Sequence, residues 1–308
     1  MSIVSSLLSV TLVAQTLRMA VPYAAAATGG VLSERSGVVN IALEGTMLVG
    51  AFGAVTTHVV TGSPWIGLAG GAGAGAAFAL LHALVVVYGR VSGIVSGIAL
   101  NLLAAAGTRF LLRAIYGSSS NSPTVVGFRL PALEGAGGGA RLLRVVADPT
   151  TLAVVVFAVL AALVVAKTAF GLRLRAAGEA PEVARSSGVH VERTRTAAVV
   201  LGGVACAIGG AALAFDQHQF QAGMTGGRGF IALAAVVLSG WRVKRAAGFC
   251  LVFALLDAVQ IVLQNETRLP VQALSSLPYV ATLLTLLVLL RRGGSGMSAP
   301  RGLDRHAD

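Results

Sequence analysis

Apolar residues fill nine stretches of the chain, at residues 7–30, 40–60, 64–88, 91–112, 150–169, 195–215, 229–241, 245–263 and 273–290, each bounded by glycine, proline or charge. Alanine and leucine dominate them, and most approach the ~20 residues a helix needs to cross a hydrocarbon layer ~30 Å thick. Barrel strands are about half as long and alternate in polarity. The pattern predicts an all-α polytopic membrane protein with about 9–10 transmembrane or partly re-entrant helices. The seventh stretch, 229–241, is too short to cross comfortably. It is read either as merged with its neighbours or as a broken, partly re-entrant helix.

The same pattern gives one transmembrane domain, residues 1–292, with a long external loop at 113–149, a cytoplasmic segment at 171–195, and a basic tail at 293–308 expected to be disordered. One surface helix is expected in the loop, near Ala140–Val146. Composition agrees: 56% of the 308 residues are hydrophobic and 11% charged, too little charge to cover a soluble surface. The net charge of +11 would suit nucleic acid in a soluble protein. Here the basic residues lie mostly between apolar runs, where the positive-inside rule accounts for them. Placing 167–195 in the cytoplasm gathers Arg35, Arg90, Arg173, Arg175, Arg242, Lys244, Arg245, Arg291 and Arg292 on that side. A multi-pass membrane protein follows, with its N-terminus outside and its C-terminus in the cytoplasm.

Charge within the spans needs a reason, because an ionisable group at depth must face protein or water. Glu44 and Asp257 are such groups, and Arg18 is a candidate partner for either. They fit two readings, a structural bond between helices or the lining of a translocation path. Asn40, Asn101 and Gln260 could likewise bond a polar solute or a neighbouring helix. Gly67, Gly70, Gly71, Gly73 and Gly75, with Gly202, Gly203, Gly209 and Gly210, read as close helix packing. Cys206 and Cys250 sit in apolar runs without metal spacing, and the five histidines are scattered, so neither a catalytic nor a metal site is expected. The phosphate-cradling pattern G-x-x-x-x-G-K-[ST] is missing from the chain, so any ATP would be hydrolysed elsewhere.

Two further patterns stand out. Residues 37–50, GVVNIALEGTMLVG, align without gaps on 227–240, GRGFIALAAVVLSG, matching Gly37 with Gly227 and Gly50 with Gly240. With the orientation above the two copies run in opposite directions, as an inverted repeat requires. The segment 171–195 carries a short helix, Ala180–Ser187, with Pro181 in its first turn and a stop at Gly188. Held between two spans, it suits docking in another protein's groove as well as plain connection.

GGVLSERSGVVNIALEGTMLVGAF (29–52), FGLRLRAAGEAPEVARSSGV (170–189) and TGGRGFIALAAVVLSGW (225–241) resemble the permease subunits of bacterial ABC importers of the branched-chain amino acid, ribose and simple-sugar superfamily. The likeness is strongest to the nucleoside-importing subgroup partnered with basic-membrane-protein-type lipoproteins. It spans about residues 10–290. The resemblance implies signature residues Glu34, Arg35, Ser36, Gly37, Asn40, Glu44, Gly45, Gly227, Arg228 and Gly229 near the central path. It makes Ala180, Pro181, Glu182, Ala184, Arg185 and Gly188 the surface that couples to a cytoplasmic ABC ATPase. It further implies a second, non-identical permease subunit and an extracytoplasmic solute-binding lipoprotein, with ATP and Mg held by the ATPase and no cofactor in this chain. The path residues expected from depth and polarity are Asn40, Glu44, Asn101, Asp257 and Gln260. A simple-sugar importer permease and an ion-coupled secondary transporter are the alternatives.

Overall fold

Helix follows helix through the computed structural model, which describes residues 10–128, 138–266, 300–304 and the single positions 280 and 287. The elements are α1 (Val10–Arg35), α2 (Leu43–Thr61), α3 (Pro64–Ala83, prolonged by a π-helical turn at Leu84–Tyr88), α4 (Gly93–Tyr116), α5 (Gly138–Ala147) and α6 (Pro149–Lys167). Then come α7 (Ala169–Glu179), α8 (Pro181–Ser186), α9 (Val191–Asp216), α10 (Arg228–Leu238), α11 (Val243–Glu266) and α12 (Arg301–Asp304). The predicted run at 273–290 lies outside the described residues.

Six of these helices are long and apolar enough to cross a membrane among the described residues: α2, α3 with its π turn, α4, α6, α9 and the part of α11 up to Gln264. α1 has the length but carries Gln15, Arg18, Glu34 and Arg35, and it is buried along most of its course. A helix surrounded by protein needs no lipid-compatible face. The contrast between α9, 83% buried over its most apolar window, and α6, 22% buried, separates the core from the lipid-facing rim. The expected surface helix is α5. The segment 171–195 holds, besides the expected short helix, the helix α7, whose N-terminus is capped by the Thr168 hydroxyl accepting from Gly171 N–H at 3.1 Å.

α9 is the hub, and glycine makes it so. A Cβ on Gly29 of α1 would lie 2.3 Å from the Gly202 carbonyl oxygen, and one on Gly210 would lie 2.0 Å from that of Met47 in α2. Backbones therefore touch where any side chain would hold them apart. Gly73, by contrast, faces open space. Around α1, Tyr23, Ala26 and Ala27 pack with Ile231, Ala235 and Val236 of α10 and with Cys250 and Phe253 of α11.

Arg18 pairs with Asp216, at 3.0 Å, rather than with Glu44 or Asp257. Asp216 ends α9, and both side chains are partly exposed, so water reaches the pair. Within the tail expected to be disordered, α12 forms a turn whose Gly302 backbone rests against Gly178 at the end of α7. The two aligned glycines of the sequence repeat, Gly37 and Gly227, share a left-handed conformation with φ +86° and +84°. That likeness and the helix contacts are consistent with an internal repeat.

Candidate functional site

Between α1 and α2 the chain leaves helical geometry for residues 36–42 while surrounded by other helices. Non-helical backbone at membrane depth is tolerated only where its polar groups find partners. Three carbonyls of this linker receive a side-chain donor from another helix. Arg195 Nε of α9 donates to Ser36 O at 3.0 Å, His82 Nε2 of α3 meets Val39 O at 3.2 Å, and Asn101 Nδ2 of α4 donates to Ile41 O at 2.9 Å. A carbonyl only accepts, so Nε2 carries the His82 proton and Nδ1 accepts from the Ser96 hydroxyl, 3.0 Å away. Asn40, 2% exposed, turns its Oδ1 back onto Ala42 N–H at 3.1 Å.

The first turn of α2 is built from the same residues. Asn101 Oδ1 accepts from Gly45 N–H at 2.8 Å, which satisfies one of the free donors at a helix start. Glu44 points out of that turn and accepts two backbone N–H groups at the start of α10, Gly227 at 2.8 Å and Gly229 at 2.7 Å. Gly229 must be glycine for this approach, since a Cβ there would lie 2.5 Å from Glu44 N. Arg228 braces the preceding turn by donating through Nη1 to Met224 O and Thr225 O, at 3.1 and 3.3 Å.

The other end of α10 is held by the same part of the chain. Trp241 Nε1 donates to the Glu34 carboxylate, and Arg35 Nε donates to Trp241 O at 3.1 Å. At 11 residues, α10 is about 16 Å long, near half of the ~30 Å hydrocarbon layer. The short seventh run is thus a half-helix, clamped at its start by Glu44 and at its end by Glu34 and Arg35. Ser36 belongs to the turn between these clamps, its hydroxyl donating to Ser33 O at 2.6 Å.

The remaining residues expected from depth and polarity fall elsewhere. Asp257 on α11 accepts from Tyr23 Oη at 2.6 Å, which ties α11 to α1, and Gln260 lies half-buried one turn further on. Neither belongs to the clamp. Among the described residues, no cluster of three or more His, Cys, Asp or Glu side chains could hold a metal ion. Sequence reasoning singled out Glu44, Asn40 and Asn101 but not His82, Arg195 or the bond from Trp241 to Glu34. A lone ionisable residue within or bordering an apolar run was the available signal for the first two.

At the opposite end of α9 from the 181–186 helix, a cavity of about 700 Å³ is bordered by Arg18, Phe128, Asp148, Asp216, His218 and Arg228. Backbone bonds from Val125 N to His218 O and from Ala222 N to Ser120 O hold the loop beside it. The helix α8 starts at Pro181 with Ala180 as its N-cap and turns away at Gly188, φ +80°. Ala184, 4% exposed, packs on Ala177 and Val191, and Arg185 Nε donates to Glu192 at 3.2 Å. Glu182 and Val183 face outward.

Residues 12–290 match the family model described as the permease component of the branched-chain amino acid transport system. The chain is 34% identical over 294 residues to the guanosine ABC transporter permease protein NupQ of Bacillus subtilis (strain 168), covering 91% of this chain and 92% of that one. It is 36% identical over 292 residues to the nucleoside ABC transporter permease protein NupC of Lactococcus lactis subsp. cremoris, with the same coverage. It is also 32% identical over 331 aligned positions to the putative glucose ABC transporter permease protein TsgC13 of Haloferax volcanii, covering 98% and 97%. A non-helical linker, a clamped half-helix and an exposed short helix between spans accompany that match, and the chain belongs to the branched-chain amino acid transport system permease family, as the membrane permease component of an ABC-type importer.

Proposed function

We propose that this permease carries nucleosides into the cell, driven by a separate cytoplasmic ATPase that binds ATP and Mg. The observation that supports it is identity of 34% and 36%, over about nine-tenths of the chain, to permeases named for guanosine and for nucleosides. The 32% identity to a permease named for glucose keeps a simple sugar as the second reading. A solute-binding lipoprotein delivers solute on the outer face, a second and non-identical permease completes the path, and the ATPase docks on Ala180–Gly188. The N-terminus lies outside and the C-terminus in the cytoplasm. Asn40, Glu44, Asn101, Asp257 and Gln260 remain the candidates for shaping the path. Asn40, Glu44 and Asn101 would act through the backbone they hold, because their hydrogen bonds go to the linker, the start of α2 and the start of α10. ATP binding would then shift the population between two packings of the helices.

Reconstitution of the chain with its ATPase, companion permease and binding protein tests the reading. Uptake of radiolabelled guanosine, adenosine and glucose is measured with and without ATP. Nucleoside uptake that needs the ATPase is expected, and uptake of glucose alone would hand the assignment to the sugar reading. A cysteine in place of exposed Ser187 should react with a membrane-impermeant maleimide only when the cytoplasmic side is accessible. Labelling from outside would overturn both topology and docking.

A further inference from the structure

Arg195 is 7% exposed, one turn beyond Glu192 at the start of α9. Its Nε donates to Ser36 O at 3.0 Å and its Nη2 to Ala177 O at 3.1 Å, so one guanidinium bridges the 36–42 linker and the end of α7. The surroundings leave it no slack. A Cβ on Gly37 would lie 2.9 Å from Nη2 and 3.2 Å from the Gly178 Cα, and a Cβ on Gly178 would lie 2.2 Å from Arg35 O. Ala180 alone separates the end of α7 from α8, and the Arg185–Glu192 bond returns α8 to the turn that carries Arg195.

We propose that Arg195 is the positioning residue that makes the α7–α8 unit and the 36–42 linker move together, and so carries displacement of the 181–186 helix to Glu44 and the start of α10. A buried guanidinium that loses its acceptors is left as an uncompensated charge, so the carbonyls of Ser36 and Ala177 keep their distance through it. Its planar fork sets the angle between the two acceptors, which a single ammonium cannot do. From Ser36 the path runs through seven residues, two of them held by His82 and Asn101, to the carboxylate that grips α10. The transport consequence rests on the ATPase docking on α8; the mechanical link does not.

Arg195→Met keeps the length of the side chain and removes its donors, and Arg195→Lys keeps the charge and one directed bond. In the reconstituted complex, the Met variant is expected to lower solute uptake per ATP hydrolysed by about tenfold, with the solute KM unchanged, and the Lys variant by about threefold. Spin labels at Ser187→Cys and Thr61→Cys, both exposed, read the link in the chain alone. Their distance distribution should broaden in both variants. Wild-type coupling together with a wild-type distance distribution in the Lys variant overturns the proposal, including where the Met variant fails to assemble. A broadened distribution in a complex whose wild-type form needs no ATPase would uphold the link while sinking the functional reading.

Discussion

Replacing Glu44 by Gln isolates the clamp on α10. The carboxylate accepts from Gly227 and Gly229 through its two oxygens, at 2.8 and 2.7 Å. Gln offers one acceptor, and its NH2 group then opposes the second backbone N–H. A hydrogen bond to a charged acceptor contributes about 1.5–3 kcal/mol. Losing one of the two therefore costs about 2 kcal/mol, equivalent to a roughly 30-fold shift toward a released α10. In proteoliposomes holding the full complex, ATP hydrolysis without solute should rise while uptake per ATP falls at least several-fold. Size-exclusion elution should stay that of wild type, because α10 is still held at Glu34 and Arg35. Wild-type uptake with unchanged ATP use would refute the reasoning. Loss of folded protein in Glu44→Gln, with Asn101→Ala accumulating and transporting normally, would reduce the carboxylate to a folding element.

Three other outcomes are expected. Gly202→Ala should lower thermal stability in detergent by about 1–3 kcal/mol, because its Cβ would lie 2.5 Å from the Gly29 carbonyl oxygen, while Gly73→Ala, facing open space, should leave unfolding unchanged. Arg18→Ala should cost less than about 1 kcal/mol and leave uptake at wild-type level, since its ion pair with Asp216 is 51% and 37% exposed; a large loss in either measurement would show that the pair does more than solvate a helix end. Glu182→Arg should weaken ATPase binding and coupled uptake with membrane insertion intact, because the residue points away from the packed face formed by Pro181 and Ala184; full coupling would place the docking surface elsewhere.

Spans were legible in the sequence because lipid imposes length and polarity on each helix separately. The short run at 229–241 was legible for the same reason: too few residues cannot cross, and α10 is indeed a half-helix. α8 was marked by Pro181 and Gly188, both acting locally on the backbone. What stayed hidden joins residues far apart in the chain. Trp241 finds Glu34 across 207 positions and Arg195 finds Ser36 across 159, and neither residue type announces its partner. Polarity alone suggested that Asn40, Glu44 and Asn101 faced a solute or a neighbouring helix. Their partners are backbone groups, which every residue offers alike, so composition could not name them. Arg18 was misjudged as a partner for a buried acid because its height within α1 depends on where that helix begins, and the run of apolar residues does not fix that point.

On the proposed path, the clamp also bears on the electrical character of what can pass. A helix start carries roughly half a positive charge and free amide hydrogens, the arrangement with which many proteins capture phosphate or carboxylate. In this chain that vacancy is filled internally, by an acid in the first turn of α2 that lies 183 residues away from the Gly227 amide it occupies. A phosphorylated solute approaching the start of α10 would meet like charge where it would otherwise find a cradle, whereas an uncharged base and ribose would not be penalised. On the proposed path and cargo, nucleotides would be disfavoured against their dephosphorylated forms by a side chain that need never touch the solute.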